Sequence, residues 1–419
     1  MSMRSTNIRW WFIVLPLLLI TIIAQIDKVS ISMIISNQQF LQDLNLAGKP
    51  AVIGLLMSGF LISYSLGHFF WGYIIKKLGP RWAAVIGVVI WSVCMFLSGM
   101  AGTAGSLIFA RVLLGIGEAF LFPVGNTFIA NWFPLKERGR ANSIWLNGML
   151  LGPVVSGALV VTILAEGNWQ TVFYFLGFLS LVPLPLLFFF MRDKPDQHRW
   201  VNKQEAEYIT SGSLLESTDV PKDEASATGI GTVLRNHRFW LVTLAWGFNN
   251  IFYWGWVTWM PTYFQNARNF SFQTAGYLYS TAYLFQLLAI LLVGYLSDRF
   301  MRRAPFGAVG WLAAGVLMFI GGNIIENSYT ALAVLIIGIC FQAPAFMISQ
   351  TLLQSIVPEN VIGPAAGISG GVSQLMAVVS PTLVGILLGI SGFPLVIFFL
   401  SLMSFIAGVL ICFLIKEGY

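Results

Sequence analysis

FARVLLGIGEAFLFPVGNTFIANWFPLKERGRA, residues 109–141, carries the features that decide the fold. Taken back to 104, the apolar run as far as 130 is long enough to cross a hydrocarbon layer about 30 Å thick, which takes roughly 20 residues of helix. It ends in the charged cluster Lys136, Glu137, Arg138 and Arg140. Inside it stand two ionisable residues, Arg111 and Glu118. Such groups in hydrocarbon cost roughly 2.5–3.5 kcal/mol each on insertion scales, so they mark a functional site by default. Seven residues apart, they share one helix face about 10 Å apart along the axis.

The same pattern recurs along the chain. Of 419 residues, 57% are hydrophobic and 10% charged, with a mean hydropathy of +0.79. A soluble domain is about a quarter charged, so a water-soluble globule is excluded. Apolar spans are predicted at 11–34, 51–75, 82–101, 104–130, 141–165, 171–191, 238–264, 272–298, 305–324, 328–354, 362–388 and 391–415. The first is too long for a cleavable signal and is expected to stay in the mature protein. Cys94, Cys340 and Cys412 fall inside spans without disulfide or metal spacing and read as small core residues. Of the 23 Lys and Arg, 19 fall on one side of the membrane by alternate loops, Lys49 and Arg268 on the other, and Lys28 and Arg111 within spans. This positive-inside asymmetry predicts an inner-membrane protein with both termini cytoplasmic, and accounts for the basic charge without nucleic acid.

The polar stretch 192–237 divides a six-helix N-terminal bundle, 1–191, from a six-helix C-terminal bundle, 238–419. A short surface helix is predicted around Lys203 to Tyr208, and the remainder reads as a solvated cytoplasmic linker. The halves repeat: GYIIKKLGPR (72–81) matches GYLSDRFMRR (294–303) at an offset of 222, and Pro134, Gly139 and Ala141 match Pro358, Gly363 and Ala365 at 224. Parallel repeats of this kind predict a substrate site between the halves near the bilayer midplane.

GYLSDRF (294–300) resembles the loop motif of the major facilitator superfamily. FARVLLGIGEAFLFP (109–123), NWFPLKERGRA (131–141), VTWMPTYF (257–264), SPTLVG (380–385) and Asp27 followed by a base resemble its anion:cation symporter family. That family includes bacterial permeases for hexuronates, aldonates and glucarate, and vesicular carriers of sialic acid and glutamate. The resemblance covers essentially the whole chain. It implies an all-α fold of twelve transmembrane helices in two pseudo-symmetric halves, and import of an organic anion, above all a sugar acid, by proton symport and alternating access. It also implies that Asp27, Arg111, Glu118 and Tyr64 serve substrate binding and proton coupling. Lys28 stands where many members carry Arg, Gln374 where many have Asn, and His68 where Gln is common. An ammonium holds a carboxylate as a point charge without a bidentate fork.

By helical rise, Asp27 and Arg111 lie at one depth in the outer third of the membrane, with Glu118 nearer the midplane. Asp27 and Arg111 can therefore pair in the empty state, with substrate carboxylate or a proton competing. Glu118 is expected to exchange the proton, and Asp27 to stay charged beside Arg111 and Lys28. The alternative is a static network that only fixes helix packing. The repeat offset sets Asn249 and Asn250 against Asp27 and Lys28, and Gln342 against Glu118. This predicts charge handling in the first half and hydrogen bonds to substrate hydroxyls in the second, unless the amides merely join helices. Asn147, Tyr253, Ser373 and Gln374 are further lining candidates. His68 reads either as a pH-sensing group or as a neutral packed histidine, and the run from Trp246 to Trp259 as interfacial and packing aromatics or a sugar-stacking surface.

No phosphate loop or metal-ligand spacing occurs, so an enzyme, an ATP-driven pump and a bound cofactor or metal are not expected. The expected partners are the anion, protons and the lipid bilayer, with the chain working as a monomer. Import of aromatic or short dicarboxylic acids is an alternative, as is a receptor that senses its ligand without moving it, although Asp27 and Glu118 speak for transport. Gating falls to the loop residues Lys76, Asp298, Arg299 and Glu359. Lys76 stands where the family motif has Asp, and a swapped pair of Lys76 with Glu359 is one reading, a solvated lysine the other. If the pair forms, reversing either charge should impair transport and reversing both should restore it; a double reversal no better than the singles excludes the pair.

Overall fold

The computed structural model describes residues 7–214, 230–300, 304–358 and 361–415, and its described residues form helices and connections without strands. Twelve long helices follow in order: α1 Trp10–Ile34, α2 (50–78), α3 (80–99), α4 Ala104–Trp132, α5 Lys136–Glu166, α6 Trp169–Phe190, α7 His237–Asn266, α8 Phe272–Phe300, α9 Ala304–Ile324, α10 Ser328–Ile356, α11 (362–391) and α12 (393–415). Eight continuous stretches among the described residues are long and apolar enough to cross a membrane. Two of these, Pro50–Gly99 and Pro364–Ile415, each join two helices at a glycine, Gly79 with φ +82° and Gly392 with φ +71°, a region other side chains seldom enter. By internal packing the chain forms two compact units, residues 1–30 with 59–222 and residues 31–58 with 223–419.

In the first unit, small residues let helices meet at backbone distance. A methyl on Gly115 of α4 would collide with the Phe60 carbonyl of α2, and one on Gly152 of α5 with the Ile22 carbonyl of α1. Gly115 lies between Arg111 and Glu118, so this approach sets the charged face of α4 against α2.

The stretch after α6 is not solvated throughout. The Asp193 carboxylate accepts the backbone N–H of Arg81 at 2.8 Å, supplying an acid at the start of α3, where helix donors lack partners. Trp132 Nε1 donates to the Arg192 carbonyl at 2.8 Å, and Asn131 to that of Asp193 at 3.0 Å. Farther on, Arg9 reaches two acids, Glu137 through Nε and Nη2 at 2.9 and 3.1 Å and Glu205 through Nη1 at 2.8 Å. Arg9 and Glu205 are 2% and 0% exposed, so the helix Lys203–Leu214 starts from a buried acid rather than lying free on the surface. Sequence periodicity missed this because the partner is 196 residues away.

His198 closes the strap between these anchors. Its Nε2 faces the Phe190 carbonyl at 2.9 Å, and its Nδ1 accepts the Trp200 N–H at 3.3 Å, a pairing that suits the neutral ring. Burial first, with nearby Arg192 and Arg199, lowers its pKa below the usual histidine value, against the opposing pull of the Phe190 carbonyl and Glu205. The stabilisation is therefore complete above about pH 6.5 and is lost as pH falls through the folded-state value. Thermal unfolding of the wild type should show this acid loss and His198→Gln should not. Arg9→Ala, which takes the guanidinium from the buried Glu205, should lower stability by about 3–5 kcal/mol, and a shift within the error of the wild type would show that the cluster does not hold the strap.

Candidate functional site

Four ionisable groups are buried together in the first unit: Asp27 and Lys28 on α1, Arg111 and Glu118 on α4, exposed by 0%, 3%, 0% and 1%. Two positive and two negative charges make the cluster neutral when all are ionised. Their pairing is uneven. Trp91 Nε1 of α3 donates to Asp27 Oδ2 at 2.5 Å, while Asp27 Oδ1 is buried without a hydrogen bond. Lys28 Nζ stands 3.9 Å from Glu118 Oε2, an ion pair too long for a hydrogen bond, and neither Glu118 oxygen has a hydrogen-bond partner among the described residues.

The cations rest on aromatic faces of α2. Lys28 Nζ lies 4.0 Å from the Tyr64 ring centroid and 5.5 Å from that of Phe60, and the Arg111 guanidinium carbon lies 4.8 Å from that of Phe60. Phe60 and Tyr64, one turn apart, thus hold both cations through ring quadrupoles. Sequence reading set Asp27 beside both cations and Glu118 farther off; the structure gives Glu118 the lysine and Asp27 the tryptophan. Consecutive side chains diverge by about 100° around a helix, so Lys28 turns toward α2 and α4 while Asp27 turns toward α3. Arg111 stays within electrostatic range of both acids.

The second unit holds amides and phenols. Gln286 of α8 donates to Gln342 Oε1 at 3.4 Å, and Gln342 of α10 donates to Asn249 Oδ1 of α7 at 2.7 Å, a buried chain across three helices. Gln342 and Gln286 also line a narrow cavity, with room for about one water, beside Tyr253, Trp256 and Tyr283. Its lining carries no charged side chain. Asn250 is buried nearby in sequence on α7, and Tyr253 and Gln374 are half-buried. Ser373 donates to the carbonyls of Ser369 at 2.7 Å and Thr243 at 3.1 Å, joining α11 to α7.

Other expected residues lie apart from these clusters. Asn147 is exposed within α5, where its carbonyl accepts from Leu150 and Leu151. Lys76 is exposed near the end of α2, Asp298 and Arg299 belong to the last turn of α8, and Glu359 lies outside the described residues. Sequence reading did not single out Trp91, Phe60 or Gln286. Phe60 was findable, being one turn from Tyr64 on the same face; Trp91 carries no local signal, since a tryptophan in an apolar span reads as packing.

Comparison with known proteins fits this geometry. The family model described as Major Facilitator Superfamily matches residues 17–381 and 276–419. A protein of Cupriavidus necator named as a probable sulfoacetate transporter is 30% identical over 88% of this chain and 85% of its own. The probable galactarate/D-glucarate transporter of Escherichia coli K12 is 26% identical over 93% and 89%, and a D-galactonate transporter of E. coli O6:H1 is 27% identical over 85% of each. In fold the chain is similar to a bacterial homolog of the human lysosomal transporter Spinster, with a TM-score of 0.78 at 17% identity over 99% of this chain and 98% of that one. It is also similar to a D-xylose-proton symporter, with a TM-score of 0.72 at 17% identity over 96% and 97%. With its helical multi-pass fold and its anion-transporting relatives, the chain is a transporter rather than an enzyme, and it belongs to the Major Facilitator Superfamily, in its anion:cation symporter family.

Proposed function

We propose that this transporter imports a small organic anion of the sugar-acid kind by proton symport and alternating access, as a monomer in the inner membrane with both termini cytoplasmic. One observation carries the reading. Glu118 is a fully buried carboxylate whose nearest cation, the Lys28 ammonium, stands at 3.9 Å, with no hydrogen bond to either oxygen among the described residues. A group so poorly satisfied is suited to taking up a proton, since burial without donors disfavours the charged form. Protonation of Glu118 frees Lys28, and Lys28 with Arg111 then holds the substrate carboxylate. Asp27, anchored by Trp91, is the second acid. A proton there would loosen its hold on Arg111 and link substrate to driving force.

The sugar-acid class is supported by relatives named for galactarate, glucarate and galactonate, and the anion class by the sulfoacetate relative. The amide chain Gln286–Gln342–Asn249 and the Asn250 side chain suit hydroxyl recognition. With both acids protonated and a monoanion carried, one net positive charge enters per cycle, and an inside-negative potential speeds uptake.

In proteoliposomes with an imposed pH gradient, Glu118→Gln should abolish proton-driven accumulation while retaining counterflow exchange; accumulation surviving in this variant removes Glu118 from coupling. Arg111→Gln should weaken substrate affinity by about 10-fold or more, the loss expected for a charged hydrogen bond worth roughly 1.5–3 kcal/mol. Unchanged affinity and transport would show that Arg111 is not the carboxylate anchor.

A further inference from the structure

The steps above leave two neighbouring buried polar atoms of the first unit unused. The Tyr64 hydroxyl and His68 Nε2 are shut off from solvent, and neither has a hydrogen-bond partner among the described residues. The residues stand four apart on one face of α2, with ring centroids 4.7 Å apart and edges meeting faces. Phe122 of α4 closes another side of His68, at 6.1 Å and edge-on.

Phe60, Tyr64 and His68 form a column of rings at successive turns. The first carries Arg111, the second carries Lys28, and the third has a buried nitrogen of its own. A buried donor or acceptor left unmade costs about 1–3 kcal/mol, so two adjacent ones beside an anion site point to a group that satisfies them when bound. One further turn adds about 6 Å along the helix, comparable with the length of a short carbon skeleton.

We propose that His68, assisted by the Tyr64 hydroxyl, is a second recognition pole of this site, reading an oxygen function several bonds away from the carboxylate held by Lys28 and Arg111. The inference rests on the anion site proposed above. Imidazole nitrogen and phenol can each donate or accept, so they complement a hydroxyl in either sense and a second acid group as donors. The class selected is therefore acids with a distal oxygen function, either polyhydroxy acids or acids with a second acid group. Alkyl monocarboxylates of the same length are rejected, because they leave both polar atoms unpaired.

The test is competition binding to the purified full-length protein with three six-carbon probes, D-gluconate, D-glucarate and hexanoate. The wild type should prefer at least one oxygenated acid over hexanoate by about 10-fold or more; His68→Phe should cut that preference roughly tenfold with hexanoate affinity retained, and Tyr64→Phe should cut it as well. His68→Gln, which restores a hydrogen-bonding group, should recover most of it. Retained hexanoate binding shows that a variant is folded. Equal affinity for all three probes in the wild type, or a preference untouched in both His68→Phe and Tyr64→Phe, would overturn the second pole while leaving the anion site standing. Failure of every probe to bind the wild type would overturn both.

Discussion

The structure turns on four charges buried in one bundle with incomplete satisfaction. An ion pair removed from water is stable only when geometry and hydrogen bonds make up for lost hydration. Here the most stringent requirement is unmet: among the described residues Glu118 accepts no hydrogen bond, and its lysine is at 3.9 Å. A cluster evolved only to fix packing would gain from an apolar replacement. Retaining four charges that cancel, yet pair loosely, makes sense where protons and an external anion exchange with the internal partners.

The remainder of the first unit keeps those groups in place without filling their bonding capacity. Gly115 lets α4 lie against α2 at backbone distance, which brings Arg111 and Lys28 over the rings of Phe60 and Tyr64. Ring faces stabilise the cations in a dry setting. Trp91 holds one Asp27 oxygen and leaves the other unbonded. On the cytoplasmic side of the predicted topology, Arg192, Asp193 and Glu205 bind the stretch after α6 to the end of α4, the start of α3 and Arg9 before α1. That region of the linker is structural support for the bundle.

Most of the fold was legible in the sequence because the bilayer admits few solutions: apolar runs and their lengths fix the helices. The predicted spans 104–130 and 305–324 meet the observed α4 Ala104–Trp132 and α9 Ala304–Ile324 within a few residues. The buried charges were equally visible, since a charge in an apolar run is conspicuous. Their pairing was not. Depth along the membrane is readable from helical rise, but direction around the helix depends on how neighbours pack, so Asp27 was set against Arg111 when its described hydrogen bond is to Trp91. The amide chain was legible in Asn249 and Gln342 through the repeat offset and illegible in Gln286, which has no charged counterpart. Arg9 with Glu205 was hidden for the same reason: nothing local marks a contact 196 residues away.

The account requires that anion binding and proton binding be one linked event in this bundle. The direct measurement is proton uptake from a weakly buffered solution when D-glucarate or D-galactonate is added to the purified protein above the pH at which the site is already protonated. Uptake that saturates with the ligand, and that is diminished when Glu118 is neutralised, is the result the account predicts. Saturable binding of the anion with no proton taken up at any pH between about 5 and 9, a range covering the ordinary and shifted carboxylate values, would contradict it.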